Sequence, residues 1–180
     1  MLKIIVLGKE MFDETKNEFI TVDDIELELE HSLVSLSKWE SIYEIPFLDK
    51  EKKITEHIIG YVKCMTLTPD VPEEVYNNLS EENFEQVQEY IDAKMTATWF
   101  NEAPGAPKSR EIVTAEVIYY WMTVFDIPFE CENWHINRLF TLIRVCNIKA
   151  AKPTKMSRSE VAARNRELNE MRRKQLGTRG

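Results

Sequence analysis

Glycine is scarce in this chain, with five in 180 residues, which leaves little material for the backbone-lined loops that cradle phosphate groups. Gly-x-Gly-x-x-Gly, the Walker pattern, His-Glu-x-x-His and the Gly-x-Ser-x-Gly elbow are all missing. Cysteine is rare as well. Cys64, Cys131 and Cys146 stand far apart with no Cys-x-x-Cys pair, the usage of small buried hydrophobes rather than of a disulfide framework. Cys131 and His135 are four apart, a spacing that can bring two metal ligands onto one helix face. Zinc needs four ligands, or three plus water, and the remaining His31 and His57 lie far upstream. No apolar run approaches the length of a membrane span. The short run at residues 2–8 is stopped by Lys9 and Glu10 without a small-residue cleavage site, which predicts an intracellular chain. Glu26, Glu28 and Glu30 recur at period two, as on a solvated or interface strand face; acid–base pairs usually need apolar surroundings to split their pKa values. Nothing here predicts an enzyme, a metal or a cofactor.

What the chain has is enough apolar material for a sizeable core, 43% hydrophobic and 10% aromatic, and an uneven charge. The net charge is −8. Residues 152–180 carry nine Lys/Arg against three Glu, while the remainder carries 14 basic against 28 acidic side chains. An acidic body repels nucleic acid at long range, whereas the basic tail can dock on an acidic protein surface, including its own or that of a neighbouring copy.

Hydrophobic periodicity predicts an α+β fold: an N-terminal antiparallel β-meander (residues 1–31) packed on a helical body (32–151), followed by a basic C-terminal helix (152–180). Strands are expected at 2–7, 18–22 and 25–29, the last alternating Ile25, Leu27 and Leu29 with Glu26 and Glu28. Ser32 is placed to cap a helix carrying Leu33, Leu36, Trp39 and Tyr43 that Pro46 ends. A second helix follows Asp49 with Ile54, Ile58, Val62 and Met65 on its stripe. Pro72 opens a short helix over 73–79, and Ser80 caps another with Phe84, Val87 and Ile91 inward. The Pro/Gly-bearing stretch 101–109 reads as a loop. Two long helices follow: 110–126, with Val113, Val117, Trp121, Val124 and Phe125 inward, and 130–149, with Trp134, Leu139, Leu142, Ile143 and Cys146 inward. They are expected to pack as an antiparallel hairpin. The last helix, 160–175, has too few apolar residues to stand alone.

Two aromatic groups and the tail are candidate interfaces. Trp39, Tyr43 and Phe47 cluster around the Pro46 break, and Trp99 and Phe100 sit beside the Pro/Gly loop; aromatics there either anchor partners or staple helices to the sheet. In the tail the candidates are Arg158, Arg164, Arg166, Arg172 and Arg173 with Leu168 and Met171.

Several runs together resemble a family of tailed-bacteriophage and prophage proteins. They are EHSLVSLSKWE at 30–40, CMTL at 64–67, DAKMTAT at 92–98, REIVT at 110–114, IYYWM at 118–122, IPFEC at 127–131, WHINRL at 134–139 and RRKQLGTRG at 172–180. The family resembles the tail assembly chaperones of long-tailed phages. The resemblance implies a non-catalytic protein of the host cytoplasm that binds the tape-measure protein, recruits tail-tube subunits, self-associates, and leaves before the virion is complete. The alternative is a permanent subunit of the particle, a minor head, neck or tail protein. Nucleic-acid binding through residues 158–179 is the least favoured reading, because the body is acidic.

Overall fold

The computed structural model describes residues 1–8, 10–13, 18–21, 23–49, 53–100, 111–151 and 158–177, with backbone alone described at 10–13, 18–21, 158, 160, 161 and 175. The chain divides into two compact units, Met1–Asn147 and Ile148–Gly180. The fold is α+β, with antiparallel strands at the N-terminus and a helical body.

Strand β1 (Leu2–Val6) pairs antiparallel with β4 (Ile25–Leu29), Ile4 opposite Leu27 and Lys3 opposite Glu28. Strands β2 (Glu10–Asp13) and β3 (Glu18–Thr21) form a second pair between them in sequence, Phe12 opposite Phe19. This pairing order differs from a simple three-stranded meander, in which 18–22 would lie between the outer strands. The physical reason lies in the two alternations. Direct β1–β4 pairing puts Ile4, Val6, Leu27 and Leu29 together on the buried face. On the open face Lys3 sits 2.8 Å from both Glu26 and Glu28. At the base of the inserted hairpin the Gly8 amide donates to Asp24 Oδ1 at 2.8 Å. The other edge of β4 is covered by the chain that leaves the helix spanning residues 55–65. Glu30 N–H donates to Met65 O, Leu67 N–H to Glu28 O, and Glu28 N–H to Thr68 Oγ1.

Helix α1 (Leu33–Tyr43) starts where Ser32 predicts. Ser32 Oγ accepts from the Ser35 amide and Ser35 Oγ accepts from the Ser32 amide, a capping box closed by serine instead of glutamate. It ends at Glu44, which takes the left-handed conformation (φ 55°) before Pro46. Helix α2 (Thr55–Met65) begins later than the sequence pattern suggests. It buries Gly60, Tyr61, Val62 and Met65, and leaves Ile54 and Ile58 exposed. Helix α3 (Glu73–Asn77) follows Pro72. Helix α4 (Glu81–Asp92) is capped by a reciprocal Ser80–Asn83 pair, and Asn83 also donates from Nδ2 to Ile5 O at 3.1 Å, tying α4 to β1.

Helix α5 (Ala115–Val124) is shorter than expected and turned. Ala115, Ile118 and Met122 are buried, Val117, Trp121 and Phe125 half-buried, and Val124 exposed. A 3-10 turn (Phe129–Asn133) holding buried Cys131 precedes α6 (Ile136–Ala150), whose buried side chains are Ile136, Leu139 and Ile143. Apolar residues of α5 and α6 share one cluster, which α1 joins. Leu33 and Leu36 sit at the centre of a cluster with Ile118, Met122, Ile136 and Leu139. A second cluster joins β1, β4, α2, α3 and α4 around Trp39 and Tyr61. Helix α7 (Arg158–Leu176) forms the regular part of the second unit, and all its described side chains are exposed. The loop expected at 101–109 and the boundary at Lys152-Pro153 lie outside the described residues. No described helix is long and apolar enough to cross a membrane.

Glu40 fastens this arrangement. Its buried carboxylate accepts from the Phe47 amide through Oε1 and from the Ala115 amide through Oε2, both at 2.7 Å, so α1 supplies the acceptor for the first amide of α5. Glu40→Ala leaves two amides without partners and is expected to cost about 3 kcal/mol in urea unfolding, with Glu40→Gln intermediate. A loss below about 1 kcal/mol for the alanine variant would contradict the role given to this carboxylate.

Candidate interaction surfaces

The first aromatic group is chiefly a staple. Trp39 has no exposed surface (0%), and its indole N–H donates to His57 O at 2.9 Å. Its ring lies 4.9 Å from that of Tyr43 and 5.1 Å from that of Phe47. Trp39 is thus a core residue that a partner cannot reach in this conformation, while Tyr43 and Phe47 are half-buried. Phe47 stacks on Tyr61 at 3.9 Å, with Lys53 Nζ 4.9 Å from its centroid. Glycine at position 60 is what lets α1 approach α2: a Cβ there would lie 2.0 Å from Tyr43 Oη.

The rotation of α2 leaves an open apolar groove of about 400 Å³ between α2 and α4, lined by Phe47, Ile58, Tyr61, Phe84, Val87 and Ile91 among others. Its α4 rim is acidic. Residues 81–92 carry Glu81, Glu82, Glu85, Glu89 and Asp92 and no cation. Glu85 and Gln88 line the groove and also an adjoining shallow depression with Glu89 and Asp92.

Trp99 differs from Trp39 in every respect. It is 80% exposed and lies beside a depression of about 540 Å³ that also takes in Lys94, Phe100, Phe140, Thr141 and Arg144. Phe100 is half-buried under the Arg144 guanidinium, 4.1 Å from its ring centroid. Upstream of it, Asn137 of α6 ties down the end of α4 by donating from Nδ2 to both Ile91 O and Ala93 O at 2.9 Å.

Sequence reasoning missed a buried cluster beneath these surfaces. His31 and His135, 104 residues apart, meet edge to face at 5.0 Å. His31 Nδ1 is 2.5 Å from Tyr61 Oη. His135 uses both ring nitrogens, Nε2 with Tyr90 O at 2.9 Å and Nδ1 with the Asn137 amide at 3.3 Å. Tyr90 in turn donates to Glu30 Oε1 at 2.7 Å. Burial, with the neighbouring His135, pushes the His31 imidazole down to about 3. His135 is therefore committed to the fold and not to a metal with Cys131. Among the described residues no group of three or more His, Cys, Asp or Glu side chains is placed to hold one. The three cysteines are free, and burial raises the thiols of Cys64 and Cys131.

On α7 the side chains of Arg164, Arg166, Leu168, Met171, Arg172 and Arg173 are all exposed, while that of Arg158 lies outside those described. No protein-family model, curated protein or solved structure matches this chain.

Two measurements follow from this geometry. Gly60→Ala displaces the Tyr43 ring and is expected to lower stability by about 1–2 kcal/mol despite a helix-propensity gain of about 1 kcal/mol. In a Tyr43→Ala background the same change is expected to stabilise by about 1 kcal/mol; equal effects in both backgrounds would refute the close approach. His31 gives a pH dependence. The unfolded imidazole titrates near 6.5 and the folded one near 3, so the unfolded chain binds the extra proton between these values. Its contribution to stability is full above pH 6.5 and falls by about 1.4 kcal/mol per pH unit below it. His31→Asn is expected to remove that slope between pH 6 and pH 4 in urea titrations. An unchanged slope would assign the acid sensitivity to other groups.

Proposed function

We propose that the chain is a non-catalytic morphogenesis protein of a tailed bacteriophage, a tail assembly chaperone that binds the tape-measure protein and recruits tail-tube subunits in the host cytoplasm. The resemblance spread over residues 30–180 motivates the reading, and the exposure of Trp99 is the observation that carries it. A tape-measure protein is a long helical rod, and its chaperone must cover apolar helix faces without a deep pocket. Trp99 supplies a large exposed aromatic surface beside Phe100, whose ring packs under the Arg144 guanidinium. Lys94 and Arg144 beside it suit the carboxylates that flank an apolar stripe on a soluble helix.

Mass spectrometry of purified particles, paired with co-purification of this chain from infected or induced cells, tests the reading. The chaperone is expected to be absent from particles and to recover a long tape-measure-like protein. Trp99→Ala is expected to lower that recovery at least about tenfold. Stoichiometric presence in the particle would replace the chaperone with a permanent structural subunit.

A further inference from the structure

Helix α5 and the 3-10 turn after it carry an apolar surface that the proposed function does not use. Tyr120 (65%), Val124 (55%) and Phe129 (57%) are exposed there. Tyr120 and Val124 are four apart on one face of α5, and Glu116 begins the same row one turn earlier. Phe129 extends the surface. Its ring is 6.3 Å from that of Tyr119, whose hydroxyl donates to Glu132 Oε2 at 2.9 Å. From residue 115 to 133 the chain has four acids, Glu116, Asp126, Glu130 and Glu132, and no cation. We propose that this acidic aromatic face is the docking surface for α7 of a second copy.

Charge selects the occupant. Two copies of the face set against each other would bring Glu116, Asp126 and Glu130 into like-charge contact, so the face does not suit itself. The basic helix does. On α7, Arg164, Leu168 and Arg172 recur at spacings of four and Met171 is three from Leu168, so the four share one side of the helix, and all are exposed. At about 100° per residue Arg166 and Arg173 belong to the opposite side, and Glu167 borders the Leu168 face along the edge next to Met171. The two faces have the same layout with inverted charge. Arg164 and Arg172 flank Leu168 and Met171 and are eight residues apart, about 12 Å along the helix. Glu116 and Asp126 flank Tyr120 and Val124 and are ten apart, about 15 Å. Arginine side chains are long enough to span that difference, and their methylene stems add to the apolar contact with Tyr120 and Val124. Because face and helix are different surfaces, the contact is head-to-tail and can propagate along a rod or close into a ring. It uses a site separate from Trp99 and does not depend on the identity of the client.

Sedimentation velocity on the full chain tests this. The wild-type protein is expected to form oligomers that grow with concentration and dissociate as salt is raised. Arg164→Glu/Arg172→Glu is expected to weaken association at least about tenfold, whereas the same charge change on the opposite side of α7, Arg166→Glu/Arg173→Glu, is expected to leave it within about twofold. Glu116→Arg/Asp126→Arg is expected to weaken association as Arg164→Glu/Arg172→Glu does, with circular dichroism finding both variants folded. Mixed together, these two variants are expected to assemble, each helix meeting a face of opposite sign. Tyr120→Ser alters no charge and is expected to weaken association about fivefold. Equal losses from the two arginine pairs, a mixture that stays monomeric, or a wild type that is monomeric throughout would overturn the proposal. A monomeric wild type that still recovers the tape-measure protein would overturn it while leaving the proposed function standing.

Discussion

Helix α1 is buried from both sides, and the fold depends on its meeting both demands at once. Leu33 and Leu36 face the cluster built with α5 and α6, whereas Trp39 faces the cluster built with the strands, α2, α3 and α4. The next residue, Glu40, adds the polar constraint, because its carboxylate satisfies two backbone amides that would otherwise be buried without partners. One helix face thus fixes the strand layer, and its neighbour fixes where α5 begins. Gly60 sets how near α2 can come, and Ser32 and Ser35 set where the helix starts.

Features decided within a few residues are legible in the amino-acid sequence. Ser32 and Ser80 cap where their chemistry places them, Pro46 and Pro72 mark the expected boundaries, and the alternation of residues 25–29 becomes the buried and open faces of β4. Features decided by partners distant in sequence are not. The pairing of β1 with β4 depends on two alternations more than twenty residues apart, and no local pattern says which strand lies beside which. The buried face of α5 differs from the expected one because its sequence is apolar nearly all round, so periodicity cannot choose between Val124 and Met122. The pairing of His31 with His135 leaves no local trace either. Its one sequence signal is that each histidine stands within two residues of a helix start, Leu33 or Ile136.

The candidate interfaces divide along the same line. Trp39 and Trp99 look alike in sequence as aromatics at helix ends, but burial separates them completely, one a core anchor and the other an open surface. The groove is hidden in the sequence because Ile58 and Phe84 read as core stripe residues, and only the rotation of α2 leaves them facing a gap. The charge contrast between tail and body, by contrast, is visible in composition alone. Under the proposed function, the exposed surface at Trp99 is the one that meets a helical client.

Photo-cross-linking from position 99 in infected or induced cells tests the proposed function most directly. A photoreactive residue in place of Trp99 is predicted to capture a long tape-measure-like chain. Capture of this chain alone from position 99 would contradict the account.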